Sequence, residues 1–522
     1  MPNPINTPRK AARENSGTNG LLADIEKTSG YEVLESSPTS SEKTAAHERN
    51  TTAITAPAED SQQQRRGTDL RTIWRNLTRR KLPPSAPETA RTLSWRKLTI
   101  CLIVEAIALG TLGMPSAFAS MGLLLSLVVS LILGILSIYT ALVLGAVKVQ
   151  YPAIRHYADA VGLIWGTLGC EVAGAMFVAL LVLLLGSHAL TGTIAFERIV
   201  DAQGVCGVLY GAVSAVLLFA LALPPSFSKF AILGYVDFGS ILIAIATVTV
   251  ASGIQHFHSL PHAAADWSWY PPSTMTFQSA FLAMTNIIFA YTFAVALPTF
   301  MTELHTPADH PKAIWTLGIV QTIIYTLTGA LNYVFIGATA VESPVLLSAQ
   351  PRLVSRVAFG LALPVIYISG SINSNVVGAY IFDRWLPGLR ERRGKKFWIL
   401  WTSLIAGITI LSWVIAASIP FFNALLGLIS SLFTSGFTFY FPALFWFLLV
   451  KKGRWNGSWK NVALSALNMF VLAVGLALLV CGTYVSVWQI LEEYKKGEVS
   501  MPFSCKGGSY KKEISASGVE YS

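Results

Sequence analysis

This sequence predicts an all-α, polytopic membrane protein of about eleven spans, on three observations. Of its 522 residues, 53% are hydrophobic and only 13% are charged, whereas a soluble domain carries roughly 25% charged residues. Apolar stretches of twenty or more residues recur from Leu98 onward, each long enough to cross a hydrocarbon core about 30 Å thick. Lys and Arg are segregated into the segment before Leu98 and a few short connections. The formal net charge of +10 therefore reads as orientation signals at a bilayer rather than a nucleic-acid footprint. The lipid bilayer is an expected partner and nucleic acid is not.

Residues 1–95 are polar, with few large apolar side chains. They cannot bury enough surface to offset the entropy of ordering, and read as a disordered cytoplasmic tail. The segment lacks the apolar core of a signal peptide. Its last part, "RRGTDLRTIWRNLTRRKL", suits either an anionic membrane face or a simple topogenic charge cluster. The membrane domain is 96–490, followed by a polar tail, 491–522. Its spans are expected at 98–120, 122–147, 163–192, 204–223, 229–251, 277–300, 313–340, 353–378, 397–419, 422–449 and 462–490. The uncharged run 397–450 is too long for one crossing, and "SIPFFN", with Pro420, divides it.

With the N-terminus cytoplasmic, the inside set holds Arg96, Lys97, Lys148, Arg155, Lys229, Lys312, "RERRGKK" and "KKGRW". The outside loops then hold only Arg198, Arg352 and Arg356 before the lysine-bearing C-terminal tail. That asymmetry places the N-terminus inside, and the sequons at Asn50, Asn76 and Asn456 on the unglycosylated side. Cys206 and Cys505 both fall outside, where they could pair. The five cysteines show no metal-ligand spacing, and free thiols are expected.

Within the first span, "EAIALGTLGMPSAFASMG" crowds Gly110, Gly113 and Pro115 together. Unpaired backbone groups are costly in hydrocarbon, so irregular winding survives only where it lines a protein cavity. Counting from Leu98 at 1.5 Å per residue, Gly110 lies roughly 18 Å into the span, near the midplane. A packing glycine and a simple proline kink are the alternatives. A matching interruption falls in span six, where Phe289, Ala290, Tyr291 and Thr292 reach similar depth and Pro298 follows. Spans one and six enter from opposite sides, so two five-span repeats would be inverted. Paired interruptions in corresponding helices of two halves point to a transporter binding site.

At these residues the chain resembles the amino acid/auxin permease family, and within it the fungal neutral amino acid permeases. The matching stretches are "EAIALGTLGMPSAFASMG", "GSHALTGTIAF", "FAYTFAVALPTFMTEL" followed by "HPKA", and "YPAIRHYADAVG". The resemblance covers about 95–490 and implies a 5+5 inverted-repeat, APC/LeuT-like transporter fold with discontinuous helices one and six. It also implies uptake driven by protons or, in some relatives, by sodium, with no organic cofactor or metal.

An α-amino acid presents a carboxylate and an ammonium, and a broken helix can answer both. Amides freed at Gly110, Thr111, Leu112 and Gly113 would face the carboxylate, aided by the half-helix dipole. Carbonyls around Phe289, Ala290 and Tyr291 would accept from the ammonium, with Thr292 beside them. Phe289, Tyr291 and Phe293 could wall an apolar side-chain pocket or simply pack between helices. No unpaired charge is evident at mid-depth in these two spans, so a neutral amino acid is expected. Coupling falls to Glu105, since ionisable residues within spans are costly and usually functional. The alternative is a Glu105 paired with a base such as Lys97 at the interface. His188 is a second proton candidate or a hydrogen-bonded packing residue. In span eight, Ser369, Ser371, Asn373 and Ser374 offer oxygens for an ion, or glue helices together. Glu171, Asp237 and Glu303 lie nearer span ends, where interfacial or loop-anchoring roles are expected.

No paired carboxylates, metal cluster or activated nucleophile suggests an enzyme, and no charged ring or filter motif suggests a channel. A non-transporting amino acid sensor, or a carrier of an amino-acid-derived amine or metabolite, would share every feature above. The expected address is the plasma membrane, with the vacuolar membrane as the alternative, and the expected state is a monomer.

Overall fold

The computed structural model describes residues 93–495, leaving out 201–204, 226, 260–265, 387, 390–393, 455 and 456, together with Phe503. The N-terminal tail up to 92, the sequons and most of the C-terminal tail lie outside the described residues. What is described is helical, save an isolated parallel bridge between Leu93 and Leu304.

All eleven expected spans are present as helices, in order. Span one is a pair of half-helices, Trp95–Ile107 and Leu109–Met121, bent by 47°. Spans two to five are Leu123–Gln150, Tyr157–Val200, Gly207–Ala222 and Phe227–Ser259. Span six is again interrupted: Phe277–Ala290, a short 3-10 turn Thr292–Ala294, then Leu297–Thr302. Spans seven to nine are His310–Ile336, Arg352–Trp385 and Lys395–Ser418. Span ten is Phe422–Val450 and span eleven Trp459–Lys495.

Local chemistry accounts for the ends. Ser94 caps span one, its hydroxyl accepting from the Lys97 amide. Thr276 and Ser279 form a reciprocal capping box at the start of span six. Spans one and two are joined through Gly122, whose φ of 78° suits glycine. Span three changes direction at Gly166 (φ 66°, ψ −147°), so its helix begins before the expected span and re-forms beyond that glycine. Pro420 lies between spans nine and ten, as the sequence suggests.

The packing repeats with a period of five spans. Span one packs on six, two on seven, three on eight and four on nine. Span five packs on one and eight, while span ten packs on six and three. Exchanging each span for the one five later therefore returns the same set of neighbours. Because five is odd, corresponding spans run in opposite directions, which makes the repeat inverted. Span eleven stands outside this pairing and packs on span ten.

The cysteines depart from expectation. Cys206 is disulfide-bonded, whereas Cys101, Cys170 and Cys481 are reduced thiols. Cys505, the cysteine that shares a side with Cys206 in the expected topology, lies outside the described residues. Asp237 also departs: it is buried rather than interfacial, with Oδ1 lacking a hydrogen-bond partner among the described residues. Glu171 keeps its expected anchoring role in an ion pair with Arg384, and Glu303 lends its carbonyl to the Leu93 amide.

Candidate functional site

The break in span one falls at a single residue. Ala108 has ψ −96°, while Gly110, Thr111, Leu112 and Gly113 all wind regularly in the helix that follows. A helix leaves its last four carbonyls and first four amides without internal partners. On the carbonyl side, hydroxyls fill most of the gap. Ser369 Oγ donates to Val104 (3.1 Å), Tyr325 OH to Ala106 (2.6 Å) and Thr111 Oγ1 to Ile107 (2.6 Å). On the amide side no side chain caps Leu109–Met121. Counting from the N-cap Ala108, whose carbonyl accepts the first bond of the helix, the open amides are those of Ala108 to Thr111. Gly113, fifth in the helix, is beyond them and faces Leu426 and Phe422 of span ten. Pro115 also lies inside this helix.

Gly110 also serves the packing alternative that its sequence offers. A Cβ built there would stand 2.6 Å from the Ala290 Cα, so the two interrupted spans cross backbone against backbone. Tyr325, from span seven, ties that crossing: its hydroxyl reaches both the Ala106 carbonyl (2.6 Å) and the Ala290 carbonyl (2.8 Å). In span six, Thr292 Oγ1 donates to the Phe289 carbonyl at 2.6 Å and lies 3.2 Å from Thr434 Oγ1 of span ten. The carbonyls of Phe289 and Ala290 are thus already engaged by hydroxyls, each keeping a second lone pair.

Between the breaks lies a cavity of about 20 Å³, lined by Glu105, Gly110, His188, Phe289, Thr292 and Asn373 among others. A water needs roughly 10–15 Å³ of such space, so the cavity is water-sized and the site is closed tightly on itself. Both Glu105 carboxylate oxygens, His188 Nδ1 and Asn373 Oδ1 are buried without hydrogen-bond partners among the described residues. Buried polar atoms are rarely left so, and here four of them belong to residues around one cavity. Glu105 is not paired with Lys97 or any other base among the described residues.

Other expected site residues point elsewhere. Tyr291 turns away from the cavity: its hydroxyl lies 3.2 Å from Ser130 Oγ, and its ring meets Tyr325 edge-on at 5.2 Å. Phe293 and Leu112 are fully buried in the packing. Ser371 folds its hydroxyl back onto the Ile368 carbonyl (2.8 Å) and does not line the cavity; its span-eight neighbours Ser369 and Asn373 reach the site instead. Sequence reasoning missed Tyr325. The available signal was a hydroxyl-bearing aromatic midway along an apolar run.

The two faces differ. On the face where span one begins, Leu93 pairs by backbone with Glu303 and His305, 2.8 Å each way. His156 bridges Thr299 of span six (3.2 Å) and Asp383 of span eight (3.2 Å). On the opposite face a cavity of about 360 Å³ opens among Ser116, Asn286, Ser343, Asn423, Gln489 and Glu493.

The family described as "transmembrane amino acid transporter protein" matches residues 91–488. This chain belongs to that family. It is a multi-pass integral membrane transporter of amino acids, not an enzyme. It is 46% identical over 417 residues to the N amino acid transport system protein of Neurospora crassa, covering 79% of this chain and 88% of that one. It is 26% identical over 423 residues to a transmembrane transporter of Fusarium pseudograminearum, covering 80% and 88%. Among solved structures, MhsT in complex with L-phenylalanine aligns with a TM-score of 0.48 at 15% identity, over 76% of this chain and 97% of that one.

Proposed function

We propose that this family member is a proton-coupled symporter of neutral amino acids working by alternating access in the plasma membrane, with a cytoplasmic N-terminus. One observation carries the reading. The unpartnered Glu105 carboxyl shares a cavity with the uncapped start of the second half-helix of span one. The amides of Ala108 to Thr111 receive the substrate carboxylate at the positive end of that helix. The ammonium is received by the remaining lone pairs at the end of span six's first half-helix, around Phe289 and Ala290, with Thr292 alongside. Phe289, Leu184 and His188 border the side-chain end of the cavity. The cavity widens to admit a zwitterion when the half-helices move apart.

Coupling follows from cost. A buried charge without a partner is expensive, so proton loss or gain at Glu105 is tied to the opening that brings water or substrate beside it. His188 Nδ1 stands at the same cavity and is a candidate to relay that proton. The tied face and the opposite vestibule support a two-sided cycle, and the Lys and Arg asymmetry supports the orientation.

Uptake of labelled alanine, leucine and phenylalanine into vesicles, with and without an acidic outside, tests this. Accumulation is expected only with the gradient, and Glu105→Gln is expected to abolish accumulation while keeping exchange. Full accumulation by that variant, or with the gradient collapsed, rejects proton coupling through Glu105. Binding without uptake of any amino acid would instead indicate a sensor.

A further inference from the structure

The face where span one begins is bridged by a histidine, and the loop that carries this histidine is anchored at both ends. Lys148, buried at the end of span two, turns its ammonium onto the carbonyls of Pro152 and Ile154. Asp159, in the first turn of span three, accepts from the Arg155 and His156 amides through Oδ2, at 3.1 Å each. The backbone between spans two and three therefore fixes where the imidazole stands. Nδ1 lies 3.2 Å from Thr299 Oγ1 on the second half-helix of span six, and Nε2 lies 3.2 Å from Asp383 Oδ2 of span eight. Phe177 of span three and Tyr380 of span eight pack on the ring, with centroids at 6.5 and 5.1 Å, and leave it buried. Among the described residues, the carboxylates facing His156 are Asp159, at its amide, and Asp383, at its ring. Arg384, next after Asp383, is taken up by Glu171 of span three, and span six contributes the Thr299 hydroxyl.

The charge on this ring sets the strength of the bridge. A neutral imidazole satisfies both partners, donating from Nε2 to Asp383 and accepting at Nδ1 from Thr299. A proton taken from water at Nδ1 turns the Asp383 contact into a charged pair, roughly twice as strong as a neutral bond. The Thr299 hydroxyl then turns to accept from Nδ1. Histidine gains such a charge between about pH 5 and 8. We propose that His156 is a cytosolic proton lock, which holds the second half-helix of span six against span eight when the inside is acid. The lock is made at low internal pH and released as internal pH rises. The inference rests on the transport reading and its cytoplasmic N-terminus, and adds regulation to it. A carrier that brings protons in with its substrate is thereby slowed by the acid it accumulates.

Initial rates of exchange of labelled alanine, leucine and phenylalanine test this, in right-side-out vesicles carrying the full-length protein. Internal and external pH are set independently and the voltage is clamped. At fixed external pH, lowering the internal pH from about 8 to about 5.5 should slow the wild-type protein about tenfold. His156→Gln keeps a neutral donor and acceptor, and its rate should stay within about twofold over the same range. Asp383→Asn should flatten the profile in the same way. Both variants should keep the wild-type response to external pH. A purely structural His156 would lower the rate at every internal pH and leave the profile's shape unchanged, which overturns the lock. A wild-type rate that is flat, or that rises with internal acid, overturns it too. Slowing by external acid that His156→Gln abolishes would overturn the cytosolic lock and the proposed orientation together. Absence of exchange by the whole panel at every pH overturns the transport reading itself.

Discussion

Span one and span six are interrupted at the same crossing but in different ways. In span one a single residue, Ala108, carries the break, and regular helix resumes at Leu109. In span six the irregular stretch runs from Tyr291 to Ala296 before helix resumes at Leu297. The sharp break leaves a compact row of uncapped amides at one place, suited to an anionic group. The long break presents carbonyls and hydroxyls, and those carbonyls are held by Thr292 and Tyr325. Both breaks lean on side-chain hydroxyls, the sharp one on Ser369, Tyr325 and Thr111 and the extended one on Thr292 and Tyr325, but only the extended one leaves a run of residues, Tyr291 to Ala296, outside regular α-helix. Span six is accordingly the softer partner, and movement is expected to begin there.

The strongest way to break this comparison is at the contact between the two. Gly110→Val places a side chain where even a Cβ would lie 2.6 Å from the Ala290 Cα, and uptake should fall by about a hundredfold, as a misplaced site does. Gly113→Ala makes only ordinary side-chain contacts, the nearest with Leu426 at 3.5 Å, and should stay within about twofold of wild type. Equal losses in the two variants would mean that both glycines serve the break, against the geometry. Tyr325→Phe comes next. It removes the donor shared by both crossing carbonyls and should cost about 1–3 kcal/mol of stability, read as a lower Tm together with reduced uptake. Thr292→Val loosens only the longer break. About 1 kcal/mol is expected, with uptake slowed more than stability is lost, measured by pairing thermal unfolding with initial rates. Thr111→Val, the matching change at the sharp break, should move rates less than Thr292→Val; the reverse order would reverse which break is soft. Ser371→Ala should have the smallest effect, within about twofold, because its hydroxyl is bonded within its own helix. A large loss of coupling there would return Ser371 to the site.

Much of the fold was legible beforehand because hydrocarbon imposes simple demands. Spans announce themselves by length and apolarity, and Pro420 separates nine from ten. The site was legible in outline only. Glu105, Gly110, His188, Phe289 and Thr292 do surround one cavity, yet Tyr291, Ser371 and Gly113 turn away from it. Along a helix, spacing tells which residues share a depth, but azimuth depends on the neighbouring spans. Gly110 shows the limit clearly. Its smallness permits a close approach, but that the approaching group is the Ala290 backbone is something no local pattern reveals.

What the sequence determined by itself was the class of molecule and the existence of two interruptions at equal depth. Both follow from the free-energy cost of burying polar backbone and charge in lipid, a cost each residue bears locally. What only the tertiary structure decided was the placing of the break at Ala108, the hydroxyl of Tyr325 joining both interrupted spans, and the vestibule gathered from spans one, six, ten and eleven. These depend on residues far apart in the chain meeting at hydrogen-bond distance, and that meeting is fixed by packing rather than by any single segment.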